Sequence, residues 1–116
     1  QLKKSIQNSE KIFNMSEGEQ LRDFLPIEKV SQHLINLAIL NKNIGIVNVC
    51  SGKPISVRSL VEYWLKENSW SIELGLGYYP YPDYEPMEFW GDANKINFIF
   101  KDIFLYCPEK PIRVRK

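Results

Sequence analysis

The stretch IVNVCSGKPISVRSLVEYWL, residues 46–65, decides how this chain is read. Its opening, Ile46-Val47-Asn48-Val49, is β-branched at all positions but one, and it lies between Gly45 and the loop 50–54. That pattern predicts a short buried strand over residues 45–49. Downstream, Val57, Leu60, Val61, Trp64 and Leu65 recur at helical spacing and give one apolar face to a helix ending near Asn68. Ser56 stands where its hydroxyl can cap that helix. A strand, a loop and a helix in this order build α/β folds, whose ligands favour the loop at the strand's carboxyl end. The unpaired N–H groups and partial positive charge of a helix N-terminus suit a phosphate there. Asn48, Ser51, Lys53 and Ser56 border such a place. The same residues equally serve to pin the loop and cap the helix, and spacing leaves both readings standing. Gly52-Lys53 is not a phosphate loop, because the upstream glycine and a Ser or Thr directly after the lysine are missing.

Upstream of this unit, residues 1–9 read as the tail of a helix. Residues 11–15 and 20–25 read as two strands around the turn Ser16-Glu17-Gly18-Glu19, a β-hairpin. Pro26 then opens a helix over 27–41, with Val30, Leu34, Leu37 and Ala38 on its inner stripe. Beyond the central unit, residues 71–74 read as a further strand, and Pro80, Pro82 and Pro86 rule out a regular element before Asp92. Asp92 is placed to cap a helix through Lys95, Ile96 and Ile99, and residues 101–116 read as an extended or frayed tail. Strands alternating with helices predict an α/β class. With strands so few and short, the expectation is a small mixed α+β lobe and not a complete doubly wound sheet.

Composition narrows the function. At 116 residues the chain is one domain at most, and a 44% hydrophobic content is enough to build a core. Fifteen Lys and Arg against 14 Asp and Glu leave a net charge of +1, which gives no reason to expect nucleic acid or an acidic membrane surface. No apolar run suits a membrane span, and no leader is visible. Cys50 and Cys107 form no disulfide framework or C-x-x-C, so a cytoplasmic setting is expected. One histidine, His33, excludes a metal site that needs several imidazoles. G-x-G-x-x-G, Walker and G-x-S-x-G motifs are all missing.

Three further features carry chemistry. Arg22-Asp23 lies on the second strand, and an arginine beside a cleft can hold a diphosphate with paired N–H donors. The competing reading is a surface ion pair of roughly 0–1 kcal/mol. The segment holding Tyr78, Tyr79, Tyr81, Tyr84, Phe89 and Trp90 offers flat faces for a base or sugar ring, or for a neighbouring domain. Its interleaved Asp83, Glu85 and Glu88 exclude single-stranded nucleic acid. His33 reads as a structural residue, with no acid or thiol paired to it by spacing.

These features occur in a familiar order. Residues 22–30, Arg-Asp-Phe-Leu-Pro-Ile-Glu-Lys-Val, resemble the R-D-(F/Y)-(I/L)-x-V-x-D-V segment of the extended short-chain dehydrogenases, the NAD(P)-dependent nucleotide-sugar epimerases, dehydratases and reductases. Residues 47–56 resemble their (Y/F)-N-(V/I)-G-(S/T)-G-x-x-x-S segment, and Glu85-Pro86 with Gly91-Asp92-Ala93-Asn94-Lys95 resemble a late (E/D)-P…(A/G)-D-x-x-K stretch. The resemblance implies that residues 1–116 are the C-terminal lobe that grips a nucleotide-diphosphate sugar. NAD or NADP would then be bound by the parent's N-terminal Rossmann domain, with no cofactor and no catalytic residue in this fragment. It assigns Arg22 to the diphosphate, Asn48 to the neighbourhood of the nucleotide and Glu85 to a ribose hydroxyl, all three converging on one hollow. Pro82 occupies the place of a second phosphate-binding arginine found in many relatives, and Lys53 is the substitute. Glu28-Lys29 replaces the usual x-Asp before Val30, Cys50 replaces a common glycine, and Tyr63 is followed by Glu67 where a catalytic Tyr-x-x-x-Lys has lysine. The Tyr-Pro-Tyr-Pro loop suggests deoxysugar or O-antigen biosynthesis. Gln1 opens the sequence inside an apparent helix, as in a piece cut from a longer protein, so no turnover is expected from this chain alone. Its expected partners are the sugar nucleotide, its own Rossmann domain and a second copy in a homodimer. The rival reading is a stand-alone protein-interaction module derived from that lobe.

Overall fold

The structure, a computed structural model, describes residues 1–101, which fall into two units. The expected tail beyond residue 101, with Cys107, lies outside the described residues.

The first unit comprises residues 1–24 and 53–90. Helix α1 (Leu2–Gln7) precedes strand β1 (Ile12–Asn14), and β2 (Leu21–Arg22) follows. After the chain returns, β3 (Ile55–Ser56) leads directly into the 11-residue helix α3 (Val57–Glu67), and β4 (Glu73–Gly75) comes last. Ser56 caps α3 as its sequence predicts, its hydroxyl accepting from the Ser59 N–H at 3.1 Å. Val57, Val61 and Leu65, one turn apart on α3, join Leu2 and Met15 in an apolar core that Phe13, Trp70 and Leu74 complete.

The predicted hairpin does not form. β1 pairs in parallel with β4, Phe13 opposite Leu74, and β2 pairs antiparallel with β3, Arg22 opposite Ile55. The reason lies in what the intervening backbone does. The first N–H groups of a helix have no partner within it, and here Arg58 N–H donates to the Gly18 carbonyl at 2.9 Å and Val57 N–H to that of Gln20 at 3.2 Å. The Met15 carbonyl accepts from Tyr78 N–H at 3.0 Å. Carbonyls that a hairpin turn would hold close are thus committed to α3 and to the segment after β4. Gly18 makes this approach feasible. Its φ is +70°, and a Cβ there would stand 2.8 Å from the Arg58 Cβ and 2.9 Å from the Arg58 nitrogen.

The second unit comprises residues 25–52 with 91 onward. Helix α2 (Ile27–Ile39) starts after Pro26, as expected, and ends two residues before the expected Asn41. Helix α4 (Asn94–Phe100) brings Ile96 and the fully buried Phe100 against Leu37, Val47 and Val49. Asp92 satisfies the Asn94 N–H at 2.8 Å, although Ala93 occupies the cap position itself.

Two expectations about this unit are corrected. The buried residue of α2 is His33, on the same face as Val30 and Leu37; Leu34 and Ala38 of the predicted stripe are exposed. The His33 ring stacks on Phe100 with centroids 5.6 Å apart and planes 23° from parallel. An imidazole can therefore take a core position that a purely apolar template assigns to its neighbour. Residues 45–49 form no strand ladder among the described residues. They keep the two-residue alternation of a strand, with Val47 and Val49 half-buried against α4 and Asn48 and Ile46 exposed, Ile46 to 91%. The Ile46 carbonyl accepts from the Lys95 ammonium at 2.7 Å, a side chain doing what a neighbouring strand would otherwise do.

Among the described residues, four helices and two two-stranded sheets, one parallel and one antiparallel, bear out the mixed α/β class.

Candidate functional site

Arg22 ends β2, and its placement follows from pairing on both edges of that strand. On one edge Leu21 and Arg22 face Ser56 and Ile55 of β3. On the other, Leu21 forms a parallel bridge with Glu88, its N–H donating to the Met87 carbonyl at 2.8 Å and its carbonyl accepting from Phe89 N–H at 3.4 Å. Two short strands and an irregular segment thus hold one arginine in register.

Glu85 reaches the same arginine from a turn. Its N–H donates to the Pro82 carbonyl at 2.9 Å, and Pro86 behind it favours an extended backbone at Glu85. Arg22 Nη2 donates to Glu85 Oε1 in an ion pair across 63 residues of sequence, and Nη1 donates to the Leu21 carbonyl at 2.7 Å. The Phe89 ring covers the guanidinium, its centroid 4.8 Å from Cζ. The Arg22 and Glu85 side chains are 14% and 28% exposed, which removes much of the solvent screening that weakens a surface pair. A guanidinium carries five N–H groups; two are used here, and three meet no acceptor among the described residues. An aromatic-backed, carboxylate-anchored cation with donors to spare can grip a planar or tetrahedral oxyanion.

Of the four residues expected to bind substrate, the structure brings Arg22 and Glu85 together. Lys53 belongs to the same unit, exposed on the segment that enters β3, two residues before the partner of Arg22. Asn48 belongs to the other unit, exposed on the unpaired run 45–49. Phe89 was one of six aromatic candidates in its segment, and only the register of Leu21 against Glu88 singles it out. Tyr81 has a structural task, its hydroxyl accepting from Glu19 N–H at 2.9 Å. A groove of about 480 Å³ in this unit lies elsewhere, lined by Ile6, Glu10, Lys11 and Glu73 among others. Among the described residues no cluster of His, Cys, Asp and Glu could hold a metal ion, and no helix is long and apolar enough to cross a membrane.

No family model matches the sequence. One curated relative, the dTDP-6-deoxy-L-talose 4-dehydrogenase (NAD(+)) of Aggregatibacter actinomycetemcomitans, is 38% identical over 79 residues, which is 68% of this chain and 29% of that enzyme. Among solved structures, an NAD-dependent NDP-hexosamine 5,6-dehydratase, TunA, involved in tunicamycin biosynthesis, superposes with a TM-score of 0.61 at 26% identity. That match covers 78% of this chain and 29% of the dehydratase. By name, one of these proteins is an NAD-dependent dehydrogenase and the other an NAD-dependent dehydratase of nucleotide sugars. The resemblance to the extended short-chain dehydrogenases is thus borne out in both sequence and fold, and the chain spans less than a third of the length of the relatives it matches.

Proposed function

We propose that this chain is the sugar-nucleotide-binding portion of an NAD-dependent dehydrogenase or dehydratase, with Arg22 on the diphosphate of a nucleotide-diphosphate sugar. The observation that carries the reading is the guanidinium of Arg22, held by Glu85, the Leu21 carbonyl and Phe89, with three N–H donors that meet no acceptor among the described residues. Glu85 contributes a carboxylate within reach of a ribose hydroxyl, and Lys53, on the approach to β3, adds a second positive charge. The deoxysugar named in the talose relative supports a deoxysugar substrate here too.

NAD supplies hydride chemistry to the relatives that carry its name. The residues in hand do not fit it, since the sequence has no glycine-rich loop for a dinucleotide pyrophosphate. In this reading the cofactor and the acid–base residues come from an N-terminal Rossmann domain. The second unit supports such a partner. Ile27, Leu34, Ala38 and Ile39 leave an apolar stripe of α2 in solvent, and Ile46 and Phe98 are 91% and 80% exposed. Apolar surface of this kind finds a covering domain or a second copy of the chain.

The test is a titration of the chain with UDP followed by NMR, which detects millimolar binding. Arg22→Gln removes the charge and the fork of donors while keeping a polar side chain. The expected result is saturable binding that weakens at least tenfold in Arg22→Gln. Equal affinity in the two proteins refutes the assignment of Arg22.

A further inference from the structure

We infer that Phe89 is a positioning residue for Arg22, setting the plane of the guanidinium so that its open donors face an incoming diphosphate. The inference rests on the reading of Arg22 above and adds a residue and a specificity mechanism to it.

An arginine on a two-residue strand has four flexible side-chain torsions, and one ion pair fixes only one end of its fork. Glu85 holds Nη2 and the Leu21 carbonyl holds Nη1, which places those two nitrogens but leaves the plane free to tilt about the line joining them. A ring centred 4.8 Å from Cζ removes that freedom, because the attraction between a cation and an aromatic face is greatest when the cation sits over the ring. Phe89 is itself fixed by backbone, not by burial. Its N–H donates to the Leu21 carbonyl, the same carbonyl that accepts from Arg22 Nη1. Leu21 also donates to Met87, two residues before the ring. Ring and guanidinium thus hang from one peptide group, and neither shifts without the other.

The ring is 58% exposed, so it contributes little to the core and its placement beside a cation is what distinguishes it. Leucine at this position keeps apolar cover and loses the π face. Tryptophan keeps the face and enlarges it. The consequence for binding is geometric. A fork with a fixed plane presents paired, parallel N–H groups to one diphosphate orientation. A tilting fork presents them to many and loses affinity through the ordering it must then undergo.

The experiment is a double-mutant cycle on the chain, with UDP as probe and NMR as readout. Phe89→Leu is expected to weaken UDP binding about two- to fivefold, the span of one exposed cation–π contact. Phe89→Trp restores the affinity. In the Arg22→Gln background Phe89→Leu has no further effect. In the free protein the Arg22 Nε–H proton, shifted upfield by the ring, returns to its ordinary position in Phe89→Leu. An affinity for UDP that falls with Arg22→Gln but is untouched by Phe89→Leu overturns the role of Phe89 and leaves the reading of Arg22 intact. A Phe89→Leu penalty that persists in Arg22→Gln overturns the coupling in the same way. UDP binding that is undetectable, or indifferent to Arg22→Gln, overturns the diphosphate reading and the inference with it.

Discussion

Replacing Glu85 by glutamine separates the two tasks assigned to its carboxylate, holding Arg22 and meeting the ribose. The side chain keeps its size and an oxygen acceptor, so the link to Arg22 Nη2 survives as a hydrogen bond from a charged donor to a neutral acceptor while the carboxylate charge disappears. With both partners less than a third exposed, the pair lies between a surface ion pair and a buried one, and its loss should cost about 1 kcal/mol of stability. The effect on anions has the opposite sign. A carboxylate and a phosphate sharing one guanidinium stand about 6 Å apart, where like charges repel by about 1–3 kcal/mol for effective dielectrics between water and a protein surface. Glu85→Gln should therefore tighten binding of inorganic pyrophosphate by about fivefold or more, since each 1.4 kcal/mol is tenfold. UDP carries a ribose that loses a charge-assisted hydrogen bond, so its gain should be much smaller, or become a loss. Titrating both ligands into both proteins at fixed, low salt yields the comparison directly. Pyrophosphate affinity that is unchanged or lower in Glu85→Gln refutes the placement of the anion beside this pair. Parallel gains for pyrophosphate and UDP refute the ribose contact alone.

Three other perturbations test the fold that presents the site. Gly18→Ala forces a left-handed residue against the Arg58 backbone nitrogen and should cost at least about 2 kcal/mol in urea unfolding, where a loss below about 0.5 would mean that α3 does not lean on this turn. Ser56→Ala removes the acceptor for Ser59 N–H and should cost about 1 kcal/mol without changing the helix content seen by circular dichroism. Burial, with a smaller contribution from Lys29, holds the His33 imidazole below its ordinary range. The unfolded chain thus binds a proton first as pH falls through about 6.5, and stability should drop from there down to the lowered folded value. In His33→Phe, which keeps a ring against Phe100, the urea midpoint should be level between pH 7.5 and 6; a slope equal to that of the unmodified chain would assign the titration to another group.

What could be read from the sequence was local. Ser56 and the apolar spacing of Val57, Val61 and Leu65 specify α3 within a single helical turn of neighbours, and the helix runs where they place it. The strands are different. β1 is three residues long and its partner lies beyond residue 70, so no periodicity within either segment could name the pairing. The turn at 16–19 has the composition of a hairpin, yet the orphan N–H groups of α3 compete for its carbonyls and win. His33 escaped for a related reason. Helical spacing weights aliphatic residues, whereas the core of that unit selects a ring that can stack on Phe100.

The site divides along the same line. Arginine on a strand, an acid after a turn and an aromatic-rich segment are legible as residue types, and the resemblance to the extended short-chain dehydrogenases implies that Arg22 and Glu85 share one hollow. Which aromatic ring would face the arginine was not legible, because that depends on the register of Leu21 against Glu88, and a slip of one residue turns a side chain to the other face. Residue type thus announces a capacity for binding an anion, and backbone register decides which neighbours tune it. The same dependence makes the site vulnerable at a distance: a change that loosens β3 or the turn at Pro82 disturbs the register, and with it Arg22, Glu85 and Phe89, without touching any of the three.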